Sequence, residues 1–220
     1  MQKYAIVVAG GSGTRMKSEL PKQFIKLAEK PILMHTLEAF HFDDIQIILV
    51  LPESQIPYWK ELVDEHQFKI PHNIIAGGEQ RFHSVKNGLS SIKADDGLVA
   101  IHDGVRPLIK RQIISESFEQ AKRTGNAIVS IQLKDSIRSI TPHANQQEDR
   151  TNFRLIQTPQ TFKVQLIKRA FEQEYTPSFT DDASVLEQAG HSISLIEGDY
   201  KNIKITTPED LLVAETLLKA

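Results

Sequence analysis

Short apolar runs that hardly alternate, set between segments of helical periodicity, restrict this chain to few architectures. Tyr4 to Ala9, Ile45 to Leu51, Leu98 to Ile101, Ala127 to Leu133 and Ile193 to Ile196 read as strands. Several have no polar face, which is the mark of strands covered on both sides. Between them Phe82, Val85, Leu89 and Ile92 recur at helical spacing, as do Ile114, Phe118 and Ala121 ahead of a stop at Gly125. Thr207, Pro208, Glu209 and Asp210 announce a last helix with a cap, a proline at the first helical position and an acid three residues after the cap. This alternation predicts an α/β fold, a mostly parallel sheet with helices on both faces that binds ligands beyond the carboxyl ends of its strands.

Composition narrows the function classes. With 220 residues, 40% of them hydrophobic and 25% charged, the chain suits one globular domain over residues 1–220. A net charge of -2 and a pI near 6.5 give no chain-wide attraction to nucleic acid or anionic membrane, so neither is expected as a partner and any basic site is local. The absence of cysteine excludes disulfides, thiolate metal sites and a cysteine nucleophile, and the eight histidines show no ligand spacing. No apolar run approaches the roughly 18 residues of a membrane helix. The N-terminus lacks the charged, apolar and small-residue order of a signal peptide, so a cytoplasmic location is expected.

One segment breaks the alternation. From Ser136 to Asn152 the chain reads SIRSITPHANQQEDRTN, where Ile137 and Ile140 are almost the only apolar residues. Two readings stand: a disordered surface loop, or a protruding hairpin that embraces another subunit.

The opening stretch YAIVVAGGSGTRMKSELPKQ ends a strand in a glycine-rich turn. A dinucleotide fingerprint needs a third glycine where Met16 stands, and Leu20-Pro21 prevents a helix from settling at once. A P-loop needs its second glycine at the same place, so that match also fails. What remains is a turn around Gly11 and Gly13 whose small residues let backbone N–H groups approach an anion. Arg15 and Lys22 follow on the same loop, a guanidinium and an ammonium suited to a triphosphate. The alternative is a solvated loop with chance basic residues.

These residues, A-G-G-S-G-T-R-M followed by P-K-Q-F, resemble the sugar-phosphate nucleotidyltransferases, and within them the 2-C-methyl-D-erythritol 4-phosphate cytidylyltransferases of the non-mevalonate isoprenoid pathway. The likeness continues through G-G-E-Q-R-F-H-S-V from Gly77, H-D-G-V-R-P from His102, K-D-S-I from Lys134, T-P-Q from Thr158, T-D-D-A-S from Thr180 and N-I-K-I-T from Asn202. It implies a Rossmann-like nucleotidyltransferase fold with a protruding β-arm at about 136–152. It further implies attack of a sugar-phosphate oxygen on the α-phosphorus of CTP, with Mg²⁺ as cofactor and a homodimer as the working unit.

By the same resemblance Arg15 and Lys22 are the triphosphate-binding, transition-state-stabilising pair, and Lys204 neutralises and positions the attacking phosphate. Arg150, on the arm, completes the active site of the twofold-related subunit. Ala9, Gly10, Gly11, Gly13, Gly78, Glu79, Ser84 and Asp103 fall to CTP, and Arg106, Ser136 and Thr158 to the sugar phosphate. Glu79 stands where the family more often has aspartate, and Ser136 where it more often has threonine. Several positions keep plain alternatives: Ser84 as a helix residue facing water, Asp103 as a turn aspartate or a possible metal contact, Arg106 as its salt-bridge partner, Lys204 as a strand-edge lysine. Asp181 and Asp182 look as much like first-turn helix acids as site residues. Two rival functions remain, a ribitol 5-phosphate cytidylyltransferase and a non-catalytic nucleotide-binding relative.

Overall fold

The computed structural model describes residues 1–10, 16 and 20–219. Seven strands form the main sheet: β1 (Lys3–Val8), β4 (Gln46–Leu51), β5 (Asn73–Ala76), β6 (Leu98–Asp103), β7 (Asn126–Gln132), β10 (Arg154–Lys163) and β11 (Leu195–Glu197). Their order is β11-β7-β10-β6-β1-β4-β5, and β10 runs antiparallel to both its neighbours while the other described pairs in the sheet are parallel. Two small ladders stand apart from it, β2 (Lys26–Leu27) with β3 (Lys30–Pro31) and β8 (Ile137–Ile140) with β9 (Asn145–Glu148).

The apolar runs divide their side chains between two cores, as the lack of a polar face requires. Ala5, Val7, Leu49 and Ala100 point to one side, where they meet α1 (Ile32–Ala39), α2 (Ile56–Glu65) and α4 (Arg111–Thr124). Tyr4, Ile6, Val50 and Ile101 point to the other, against α3 (Arg81–Ser91), α5 (Val164–Ala170) and α6 (Asp182–Gln188). Gly125 caps α4 at φ 95, a left-handed conformation that costs glycine little. The last helix, α7 (Pro208–Lys219), begins as its sequence predicts. Asp210 Oδ2 accepts from the Thr206 and Thr207 N–H groups at 2.8 and 2.9 Å, and Asp210 N–H donates back to Thr207 Oγ1 at 3.3 Å.

The polar segment is a hairpin. Ile137 pairs with Glu148 and Ile140 with Asn145, and most of the ladder is exposed, with Ile140 83% accessible. Asp149 accepts from Thr151 N–H at 3.0 Å and so fixes the single turn that carries Arg150.

Strand β10 departs from the predicted pattern, because its sequence RLIQTPQTFK places a proline inside a central strand. The sheet tolerates Pro159 because the ladder with β7 is irregular between Ile156 and Gln160, where no strand hydrogen bond is asked of it. The irregularity brings Thr158 against the end of β6. Thr158 Oγ1 accepts from Asp103 N–H at 3.1 Å, so its own proton is free to go to His102 Nδ1, 3.0 Å away. His102 Nε2 then donates to the Arg106 carbonyl at 3.2 Å, and the imidazole, fully buried beside Phe40, is held in one neutral tautomer.

Burial lowers the His102 pKa to about 4. The unfolded chain takes up this proton near its ordinary value of about 6.5, so the unfolded state binds more protons between the two values and stability falls as pH falls through that window. Asp103, whose pKa is depressed rather than raised, contributes stability that is lost only as pH falls through and below the ordinary carboxylate range, alike in the parent and the variant. Urea unfolding at pH 7, 5.5 and 4.5 is expected to show His102→Asn losing about 2 kcal/mol less than the parent between pH 7 and pH 4.5. Parallel losses in the two proteins would contradict the neutral, buried assignment.

Candidate active site

The carboxyl ends of β1, β5 and β6 enclose a cavity of ≈ 270 Å³ whose lining includes Ala9, Gly10, Lys22, Gly78, Glu79 and Ser84. A second, polar lobe of ≈ 300 Å³ shares Arg81, Asp103 and Lys204 with the first and adds Arg106, Thr158 and Thr180. A roomier hollow of ≈ 420 Å³ beside His41 to Ile47 lies at the amino ends of β4 and β5, away from these charges. The paired lobes occupy the edge where sheets of this kind bind ligands.

On the first lobe, backbone does most of the shaping. Gly77 N–H donates to Leu51 O at 2.7 Å, continuing the β4–β5 ladder, and Gly78 N–H donates to Ser84 Oγ at 3.1 Å. A Cβ at Gly78 would lie 2.4 Å from His83 Cβ, so a side chain at this position would push the loop off the helix. Ser84 is 5% exposed and does not face water; its hydroxyl holds the Gly78 peptide. The Gly78 loop is therefore set by the protein's own contacts. Lys22 begins a single tight turn, Lys22–Phe24, whose Phe24 packs edge-on against Tyr58 with ring centroids 5.3 Å apart. Gln23, fully buried, ties that turn to the end of β1 by donating to Ala9 O at 2.8 Å.

Between the lobes, one carboxylate gathers three cations. Asp103 Oδ2 lies 3.0 Å from Lys204 Nζ and 3.3 Å from Arg106 Nε, and Oδ1 lies 3.7 Å from Arg81 Nε. Burial works against the ionised form, but Arg81, Lys204 and Arg106 together hold the carboxyl well below the usual range. Asp103 is thus a site carboxylate and an ion-pair partner at once, and the salt bridge that Arg106 offered as an alternative is present. Arg106 also donates to Asn202 O at 2.8 Å, which spends much of its fork on the protein. Lys204 is not on a strand. It lies between β11 and α7 on a segment pinned by Asn202, which donates to Thr158 O at 2.8 Å, and by Ile205 N–H, which donates to Val105 O at 2.9 Å. The Thr158 hydroxyl is turned inward to Asp103 N–H and His102, so it organises the end of β6 from behind.

Ser136 and Arg150 are exposed on or beside the arm and line neither lobe of their own chain; Arg150 instead donates to the Lys134 carbonyl. Gly11, Gly13 and Arg15 lie outside the described residues. Asp181 is a helix cap, accepting from Ser184 N–H at 2.9 Å in a reciprocal capping box. The sequence reading misses Arg81, which sits at the first turn of α3 and grips buried Asp182 with both terminal nitrogens at 2.8 and 2.7 Å. It also misses Gln23 and Asn202. The available signal was local: each is a polar residue followed directly by an apolar one, Phe82, Phe24 or Ile203, inside a segment already marked by a neighbour.

Against this geometry, the family model for 2-C-methyl-D-erythritol 4-phosphate cytidylyltransferase (IspD) matches residues 4–220. The chain is 52% identical to a protein of that name from Bacteroides fragilis and 48% identical to one from Phocaeicola vulgatus, covering 99% of this chain and 100% of each relative. Its fold is similar to 4-diphosphocytidyl-2C-methyl-D-erythritol synthase from Anaerococcus prevotii, with a TM-score of 0.85 and 27% identity over 100% of this chain and 96% of the other. The Thermus thermophilus 2-C-methyl-D-erythritol 4-phosphate cytidylyltransferase superposes with a TM-score of 0.81 at 28% identity, covering 100% of both chains. The sheet, the two lobes around Asp103 and the full-length match lead to one assignment: this chain belongs to the 2-C-methyl-D-erythritol 4-phosphate cytidylyltransferase family.

Proposed function

We propose that this chain transfers the cytidylyl group of CTP to 2-C-methyl-D-erythritol 4-phosphate, giving 4-diphosphocytidyl-2-C-methyl-D-erythritol and pyrophosphate. The observation that carries the reading, beside the family, is the placement of Lys204, Arg106 and Arg81 around Asp103 where a nucleotide-sized lobe meets a polar one. An oxygen of the sugar phosphate attacks the α-phosphorus as the bond to the β-phosphate bridge breaks. Both substrates are anions, so the work of the protein is to bring them together and stabilise the charge that builds between them.

The Gly78 loop and Ala9 present a rigid backbone to the base, with Gly10, Glu79 and Ser84 around it, and Asp103 can accept from ribose hydroxyls. Lys22 with Arg15 takes the triphosphate, with Gly11 and Gly13 allowing close approach. Lys204, released in part from Asp103, takes the incoming phosphate, and Arg106 and Thr158 shape the lobe that receives the sugar. Among the described residues no group of three His, Asp or Glu could hold a metal ion. The donors fit Mg²⁺ carried by the nucleotide, because that ion usually keeps several waters and takes one or two carboxylates beside substrate phosphates, and Asp103 is such a carboxylate. When bound, the ion would offset phosphate charge.

The exposed arm supports a homodimer, Arg150 and Ser136 serving the opposite subunit, and the cytoplasm is the location we propose for it. Ile140, Phe153, Leu155 and Ile156 leave apolar surface along the arm and its base, 83, 43, 51 and 41% accessible, which a second copy would cover.

Pyrophosphate release with Mg²⁺ and CTP, offering 2-C-methyl-D-erythritol 4-phosphate and D-ribitol 5-phosphate in parallel, tests the reading. Release with the erythritol phosphate is expected; preference for ribitol phosphate would change the substrate, and silence with both would overturn the activity. Lys22→Ala should lower kcat by about 100-fold while CTP affinity changes little, and equal losses in both would remove its transition-state role. Arg150→Ala should raise KM for the sugar phosphate and spare CTP binding. Mixed with Lys22→Ala subunits it should regain activity, since one site of each hybrid dimer then has both cations intact. No recovery on mixing would place Arg150 outside the opposite site.

A further inference from the structure

Arg81 bridges two carboxylates unequally. Its terminal nitrogens are spent on Asp182, at 2.8 Å to Oδ1 and 2.7 Å to Oδ2, and only Nε faces Asp103, at 3.7 Å from Oδ1. That last separation is longer than a hydrogen bond. The other Asp103 oxygen already serves Lys204 and Arg106. Among the described residues none hydrogen-bonds Oδ1, which therefore keeps acceptor capacity where the two lobes meet, and it keeps it because Asp182 restrains the guanidinium. Asp182 is well suited to this, being 1% exposed and fixed at the start of α6, next to the Asp181 cap. Arg81 in turn starts α3, directly after the Gly78 loop.

We propose that Arg81, restrained by Asp182, is a positioning residue for Asp103: it faces Oδ1 from a fixed stand-off, so that the carboxylate stays oriented between the lobes with one oxygen open to substrate. This rests on the cytidylyltransferase reading of the site. A fork bound to one carboxylate with its edge toward another is a property of guanidinium; an ammonium is a point charge and cannot hold both relations. Without its Asp182 partner the guanidinium would close on Oδ1 as a direct ion pair and remove the open acceptor. Removing Arg81 would leave Asp103 free to turn wholly onto Lys204 and Arg106, tying up the lysine that the incoming phosphate needs.

The test is steady-state kinetics of pyrophosphate release by Arg81→Gln, Arg81→Lys, Asp182→Asn and the double variant Arg81→Gln/Asp182→Asn, each with its melting temperature. Arg81→Gln should lower kcat by about 10- to 100-fold, the scale of an ångström-level misplacement, with KM for CTP rising by much less than that. Arg81→Lys, which keeps the charge, should lose about as much. Asp182→Asn should slow the enzyme in the presence of Arg81 yet cost less than about twofold further in the Arg81→Gln background, because it acts only through that residue. If Arg81→Lys restores parental kcat, or if the two single losses multiply in the double variant, the pair is merely structural and the positioning role is wrong. Loss confined to KM for CTP would also overturn it. Should Asp182→Asn fail to fold, comparing Arg81→Gln with the double variant still decides, since both lack the unpaired guanidinium. Parental pyrophosphate release is the control: its absence removes the cytidylyltransferase reading, whereas its presence with an unaffected Arg81→Gln removes only this inference.

Discussion

Asp103 ends the middle strand of the sheet, and its carboxylate is shared by cations from three separate pieces of chain. Arg81 comes from the start of α3, Arg106 from the turn after β6, and Lys204 from the segment between β11 and α7. Burying a carboxylate is costly unless it is paired, and here the pairing comes from Arg106, which is largely buried, and from Lys204 and Arg81, which keep part of their side chains in solvent. The buried Asp103 carboxylate therefore depends on its cations. The common charge fixes three loops that local sequence would let wander, and it does so at the seam between the two lobes.

The supports behind this seam are a connected run of hydrogen bonds. Thr158 takes Asp103 N–H and gives to His102, His102 gives to the Arg106 carbonyl, and Asn202 takes hold of the Thr158 carbonyl while its own carbonyl receives the Arg106 guanidinium. The irregular ladder at Pro159 is what lets β10 turn Thr158 inward. Among the described residues, the charged side chains that line the two lobes, Lys22, Arg81, Arg106 and Lys204 against Glu79, Asp103 and Asp181, sum to +1, four positive against three negative. A modest excess of this kind attracts phosphate without the self-repulsion that bare cations would suffer. Pre-organisation is the natural demand on a site that must align two anions rather than form a covalent intermediate.

Much of this was legible in the sequence, and the limits have physical reasons. Strands such as β1 and β4 announce themselves because both faces are buried, and the end of α4 because Gly125 can take the left-handed turn. Strand β10 does not, since a proline is ordinarily excluded from a central strand and the irregularity that admits it depends on β7. Strand β5 is short and only half-buried at the sheet edge, so its four residues carry too little pattern. The arm left two readings open because β8 and β9 are held by backbone pairing, and Ile137 and Ile140, three positions apart on an otherwise polar ladder, leave no strand periodicity. Asp103, Lys204 and Arg106 could be named from motif context, but that both cations, with Arg81, meet on the one carboxylate is a fact of tertiary structure. Arg81 and Asp182 are 101 positions apart, and no local signal pairs them.

The most direct measurement is single-turnover pyrophosphate release by Asp103→Asn, which keeps the shape of the side chain and removes the charge that the cluster shares. With folding verified by circular dichroism, release slower by about 100-fold or more is the expected result, because the cations lose their common reference as the two phosphates meet. Release within about threefold of the parent rate would contradict the account, leaving the Asp103 charge a structural ornament of the fold and moving the origin of catalysis elsewhere in the cleft.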